Sequence, residues 1–201
     1  MKNSTGIFYC AFRFYRSICL KVNLLSREVM PGQCTSPWVF GAVVGYVRER
    51  FPRAELIFGD CEVATSRQVD DAVRTWGLLD IAAKYGATFI NLSTASTQQV
   101  EVGPIFGWLD IPEVILDVEA MISIPVVKTH CITPFTAALK NQWGLLPRAR
   151  FKYHPVVHEA IAEVNGYFAG RMKFGVADLT VAMEGPGPRV GFPKVCDRII
   201  A

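Results

Sequence analysis

The chain carries six cysteines, Cys10, Cys19, Cys34, Cys61, Cys131 and Cys196, yet no C-x-x-C pair. Their wide, irregular spacing argues against a zinc ribbon and gives no iron–sulfur motif on this chain, so its cofactor, if any, is unknown. A chain with this much apolar residue needs no disulfide staples, and the thiols read as reduced, partly buried small side chains. No G-x-G-x-x-G follows the first strand pattern and no G-x-x-x-x-G-K-[ST] occurs, which leaves an ordinary dinucleotide site or ATP loop unsupported. No apolar run reaches the ~18–20 residues of a membrane helix. Ile7–Cys19 is aromatic and apolar, but Arg13 and Arg16 interrupt it, whereas a signal peptide places its charges ahead of the apolar stretch. The expectation is a cytoplasmic protein with no membrane contact. A net charge of only +3 gives no broad field for nucleic acid.

What is present is a globular balance, 51% apolar and 19% charged residues over 201 positions. Short apolar strands alternate with helical patterns. Strands are expected at 18–23, at 56–58 closed by Gly59-Asp60, at 88–92, at 120–124 ended by Pro125, and at 174–177 ended by Asp178. Helices are expected from Pro37 to Phe51, with Thr35 or Ser36 as cap, then at 68–75 and 78–84, with Gly86 as a stop. A short helix is expected at 136–143 and a longer one at 155–168. Residues 93–110 suit a small hairpin. Strands separated by helices favour parallel pairing with right-handed crossovers. The fold class is therefore α/β: a mostly parallel sheet with helices on both faces, Rossmann-like without a dinucleotide motif.

In such a sheet ligands bind beyond the carboxyl ends of the strands. Several strand ends carry polar residues: Lys21 and Asn23, Asp60, Asn91, then Lys128 and His130, then Asp178. The densest passage runs from Ile124 to Asn141 and holds Lys128, His130, Thr133, Thr136, Lys140 and Asn141. Ammonium groups, hydroxyls, an imidazole and an amide can grip a phosphate or carboxylate, and a helix starting near Thr133–Thr136 would add backbone N–H groups. His130 is the candidate acid or base near neutral pH. A direct His130–Cys131 pair is awkward, because adjacent residues of an extended segment face opposite ways. His154 and His158 are four apart, but Pro155 lies between them, and two surface histidines are favoured over a metal site. The turn Glu184-Gly-Pro-Gly-Pro188 is either a close backbone approach to a ligand or only a sharp connection.

Lys21-Val-Asn-Leu-Leu25, Thr35-Ser-Pro37, Gly59-Asp60, Pro125-Val-Val-Lys-Thr-His130, Thr136-Ala-Ala-Leu-Lys-Asn-Gln-Trp-Gly144 and Met183-Glu-Gly-Pro-Gly-Pro188 together closely resemble the uncharacterised family called domain of unknown function 362. The resemblance runs from about Leu20 to the C-terminus. It implies a single α/β domain over 20–201, incomplete at both ends, with 1–19 an atypical N-terminal segment. Lys21-Val22-Asn23 departs from the family's usual Lys-Pro-Asn. Some members look fused to ferredoxin-type iron–sulfur domains, and this chain reads as a truncated member without one.

The expectation is an enzyme-type domain that binds a small anionic metabolite, phosphate or carboxylate, at the carboxyl edge of the sheet. His130, Lys128 and Asp60 would carry the chemistry. Lys21, Asn23, Thr133, Thr136, Lys140, Asn141, Asp178 and Glu184 would bind the ligand, and no metal ligands are assigned. The alternatives are a non-catalytic partner of an iron–sulfur electron-transfer protein, such as a ferredoxin-like protein, or an inactive truncated remnant.

Overall fold

The structure is a computed structural model that describes residues 15–63, 67–147 and 150–201. Cys10, Arg13 and most of the atypical N-terminal segment lie outside the described residues. The elements in chain order are β1 (Ser17–Lys21), α1 (Pro37–Arg50), β2 (Glu55–Asp60), α2 (Val69–Thr75), α3 (Leu78–Tyr85), β3 (Ala87–Asn91), β4 (Thr97–Gly103), β5 (Gly107–Pro112), α4 (Glu113–Asp117) and β6 (Ala120–Ser123). Then follow β7 (Val126–Thr129), β8 (Phe135–Thr136), α5 (Ala138–Asn141), two 3-10 turns at Gln142–Leu145 and Arg150–Val156, α6 (Val157–Phe168), β9 (Met172–Gly175), β10 (Ala177–Glu184) and β11 (Phe192–Ile200).

The main sheet has the order β3-β2-β1-β6-β9. Every pairing in it is parallel, from Ser17 opposite Glu55 to Ser123 opposite Gly175. The alternation of the strand sequences explains its two cores. Ile18 and Leu20 of β1, Leu56 and Phe58 of β2, and Ala120 and Ile122 of β6 point to the face covered by α1, α2 and α3. Cys19, Ile57 and Met121, one residue out of step, point to the face covered by the β4–β5 hairpin, α4 and α6. Strands buried on both faces read as near-continuous apolar runs, which is what these segments are. Among the described residues no helix is long and apolar enough to cross a membrane.

A second sheet, β11-β10-β7-β8, grows out of the first. β6 and β9 are neighbours, and each leaves the main sheet after a break of one or two residues and continues as β7 and β10. Pro125 cannot donate to a ladder, and its carbonyl accepts instead from the Asp178 N–H at 2.8 Å. β7 and β10 stay parallel, with Met183 opposite Lys128, while β8 and β11 close the sheet antiparallel.

Three expectations change here. Lys128 lies inside a strand of its own, β7, rather than past the end of the 120–124 strand. The helix expected at 136–143 shrinks to four residues, too short to offer a helix N-terminus to an anion, and gives way to a 3-10 turn. Asp178 does not end a strand at the rim: it opens β10 and turns toward the start of α1. Its Oδ2 accepts from the Ser36 N–H at 2.9 Å and the Ser36 hydroxyl at 2.6 Å. Its Oδ1 accepts from the Thr180 N–H at 3.0 Å and the Thr180 hydroxyl at 2.7 Å. A buried carboxylate at a helix start is a joint between β10 and α1, with its acceptor capacity spent. Asp178→Ala is accordingly expected to lower the unfolding free energy in urea by about 2–3 kcal/mol, with no change in the affinity of any anion bound at the rim.

Candidate functional site

The rim is organised by a buried ion pair. Lys21, the last residue of β1, is wholly buried, and its ammonium donates to Asp60 Oδ1 at 2.8 Å, to the Val22 carbonyl at 2.7 Å and to Asn141 Oδ1 at 3.4 Å. Three acceptors occupy the three donors of the ammonium. Asp60, the last residue of β2, also accepts from the Cys61 N–H on Oδ1 and from the Leu24 N–H on Oδ2, both at 2.8 Å. Asn141 completes the set, donating to the Lys21 carbonyl at 2.9 Å and to the Ser123 hydroxyl at 3.1 Å. Gly144 lies directly over the pair. A Cβ there would stand 2.1 Å from Asp60 Oδ1 and 2.7 Å from Lys21 Nζ, so only glycine lets the 3-10 turn settle on it. Lys21, Asp60 and Asn141 were expected to meet a ligand or act on it. Their polar atoms are spent on one another and on backbone, which makes them the frame of the site.

Above this frame opens a cavity of about 540 Å³. Of the residues expected at the site, Asn23, Asp60, Lys128, His130, Thr136, Lys140 and Asn141 line it, although they come from four separate stretches of chain. Thr133 is buried beside it, its hydroxyl donating to the Phe135 carbonyl at 3.3 Å. Glu184 lies off the cavity, exposed and paired with Lys194 at 2.6 Å. Asn91 ends β3 as expected but turns to Glu62 and Asp70, at 3.1 Å each. The 185–188 turn forms one wall through Pro186, Gly187 and Pro188. It comes so close to β7 that a Cβ on Gly187 would stand 2.2 Å from the Thr129 carbonyl. Of the two weighed histidines, His154 lines the cavity and His158 is exposed on α6, so they do not share a site.

The unspent groups are mostly cationic. Lys128 is buried and is steadied by donating to Asn23 Oδ1 at 2.6 Å and to the Gln33 carbonyl. Burial, above all, lowers its pKa from 10.5 to about 8. Lys140 has neither a hydrogen bond nor an ion pair among the described residues. Burial first, then the Lys128 and Arg150 charges, bring its pKa down from 10.5 to about 7. His130 is half-buried and its Nδ1 accepts from the Ile132 N–H at 3.1 Å, which puts its proton on Nε2. Burial, followed by Lys140, His154 and Lys128, lowers its pKa to about 4. At neutral pH His130 is therefore an uncharged donor with its other nitrogen occupied. The Thr136 hydroxyl is buried in the cavity wall with no partner among the described residues. The buried Cys61 thiol is pushed up to about 12 by desolvation and is inert, whereas Cys131 is exposed.

Arg150 and Arg189 also line the cavity and had not been singled out. Arg150 donates to the Trp143 carbonyl at 3.1 Å and to the Glu62 carbonyl. Its signal in the sequence was the basic run Arg148-Ala-Arg-Phe-Lys152 just past Lys140. Among the described residues, no group of three or more His, Cys, Asp or Glu side chains is placed to hold a metal ion.

The sequence profile of the family described as Domain of unknown function (DUF362) matches residues 18–201. The chain belongs to this family. No curated protein matches it. Among solved structures, the family's fold as seen here is similar to the lactate racemase apoprotein from Thermoanaerobacterium thermosaccharolyticum, with a TM-score of 0.52 and 9% sequence identity. The likeness covers 90% of this chain and 46% of that one, so the chain spans about half the length of the racemase. At that identity the likeness concerns the fold.

The frame and the open cations respond oppositely to the same substitution. Lys21→Met strands a buried carboxylate and is expected to cost about 3–5 kcal/mol in urea unfolding. Lys140→Met removes a charge that burial and neighbouring cations disfavour, and leaves stability unchanged or slightly higher.

Proposed function

We propose that the domain binds a small organic anion, a carboxylate in the first instance, in the cavity at the carboxyl edge of its main sheet. The observation that carries this reading is the lack of balance in the cavity wall. Asp60 is the only carboxylate lining it among the described residues, and Lys21 already neutralises that charge. Lys128, Lys140 and Arg150 line the wall with no further acid to answer them among the described residues, beside the unpartnered Thr136 hydroxyl. An anion supplies what each lacks, a countercharge for the lysines and an acceptor for the hydroxyl, in a site dry enough to make those bonds strong. A cavity of about 540 Å³ suits a small metabolite. The shared fold with a lactate racemase adds a reason to place 2-hydroxy carboxylates among the first ligands tested.

Thermal unfolding with lactate, glycolate, inorganic phosphate and divalent cations tests the reading. One of the anions at a hundred times its Kd stabilises the folded state by about 2.7 kcal/mol. Lys140→Ala and Thr136→Val each weaken that ligand about tenfold or more, whereas equal shifts in wild type and Lys140→Ala contradict the site.

The response to pH has a definite sign. Lys140 and Lys128 hold fewer protons in the fold than in the unfolded chain between about pH 7 and 10, so the stability of the free protein rises across that window. Anion affinity falls over the same range, because the ammonium charges that attract the ligand are lost. Calorimetry at pH 6.5 and 9 reads both trends.

A further inference from the structure

We infer that Lys140 is a covalent catalytic residue, whose amine forms an imine with the carbonyl carbon of a small 2-oxo carboxylate held in the cavity. The inference rests on the anion-site reading and goes one step past it, from binding to chemistry.

The two lysines of the cavity differ in a way that decides between them. Lys128 is buried and tied to two oxygen acceptors, Asn23 Oδ1 and the Gln33 carbonyl, so its nitrogen is held as a donor. Lys140 has no acceptor among the described residues, and the cations whose charge acts on it are Lys128 and Arg150. An amine in a partly dry cavity beside other cations sheds its proton near neutral pH and exposes a nucleophilic lone pair. Its pKa of about 7 agrees with that placement. The groups that face it are Lys128 from β7, Arg150 from the 3-10 turn, and His130 and Cys131 from the loop between β7 and β8. None of them is a carboxylate that would hold the ammonium charged.

The backbone that carries Lys140 is fixed on both sides. The Leu139 carbonyl accepts from Asn165 of α6 at 2.9 Å, and Asn141 is bolted to Lys21 and Ser123. A nucleophile on a four-residue helix is thus as well positioned as one on a long element. Its surroundings also supply what a 2-oxo acid needs. Lys128, Arg150 and the Thr136 hydroxyl bind the carboxylate, and the neutral His130, with its proton on Nε2, donates to the carbonyl oxygen as negative charge builds there.

The step balances without a further reagent. The Lys140 lone pair attacks the carbonyl carbon, a C–N bond forms, and the C=O π electrons pass to oxygen. Both protons of the amine leave with that oxygen as water, and the nitrogen remains doubly bonded to carbon. The imine withdraws electrons from the neighbouring carbon–carbon and carbon–hydrogen bonds, which is the chemical use of such an adduct.

The test is reductive trapping. The protein is incubated with glyoxylate or pyruvate and sodium cyanoborohydride at pH 7.5, and the product is read by intact mass and peptide mapping. The expected result is a single reduced adduct on Lys140, blocked by excess lactate, which offers a carboxylate but no carbonyl. Lys140→Arg should keep its thermal transition and lose the adduct; if that variant does not fold, the mapped position in the wild type decides alone. A wild-type adduct spread evenly over exposed lysines such as Lys84, Lys152 and Lys194 overturns the inference. So does the absence of any adduct while lactate still stabilises the protein, and in that case the anion site survives. Neither adduct nor stabilisation overturns both.

Discussion

An ammonium and a carboxylate buried side by side, Lys21 and Asp60, hold the working end of this molecule together. Removing both charges from water costs several kcal/mol each, and the pair recovers this only because every remaining donor and acceptor finds a partner. Those partners are drawn from distant parts of the chain: Val22 and Leu24 after β1, Cys61 after β2, and Asn141 on the short helix. Gly144 then closes over the pair at a distance no other residue tolerates. Two parallel strand ends and the 138–146 segment are thereby fixed relative to one another, and that segment presents Lys140.

The same pair shapes the electrostatics of the cavity. Because Lys21 has already answered Asp60, Lys128 and Lys140 find no second carboxylate in the wall among the described residues. The depressed lysines and the uncharged His130 are consequences of burial first and of neighbouring cations second. On the proposed anion-site reading a bound carboxylate favours the ammonium form of Lys128, so binding and proton uptake are coupled there.

Much of this fold could be read from the chain. The strands of the main sheet, their parallel pairing and the helices on both faces follow from alternating short apolar runs and helical patterns, and the small hairpin falls where it was expected. The second sheet could not be read, because Ile124-Pro125 looked like the end of a strand when it is the point where the chain changes sheets. Asp178 misled for a related reason. A carboxylate just past an apolar strand is the sign of a rim residue, yet β9 runs on into β10 and carries it to the start of α1. The cluster of polar residues at the cavity was visible from strand polarity, but the division of labour was not. Residue type alone does not tell that Lys21, Asp60 and Asn141 consume one another's hydrogen bonds while Lys140 has none among the described residues. That distinction depends on distances of a few ångströms between segments far apart in sequence.

The most direct test of a cationic, uncompensated cavity over the Lys21–Asp60 frame is an anomalous-diffraction experiment on crystals soaked in bromide. The account predicts a bromide peak inside the cavity, within contact of Lys140 Nζ and the Thr136 hydroxyl, at concentrations where exposed lysines remain unoccupied. Bromide confined to the outer surface, with the cavity holding only water, would contradict it.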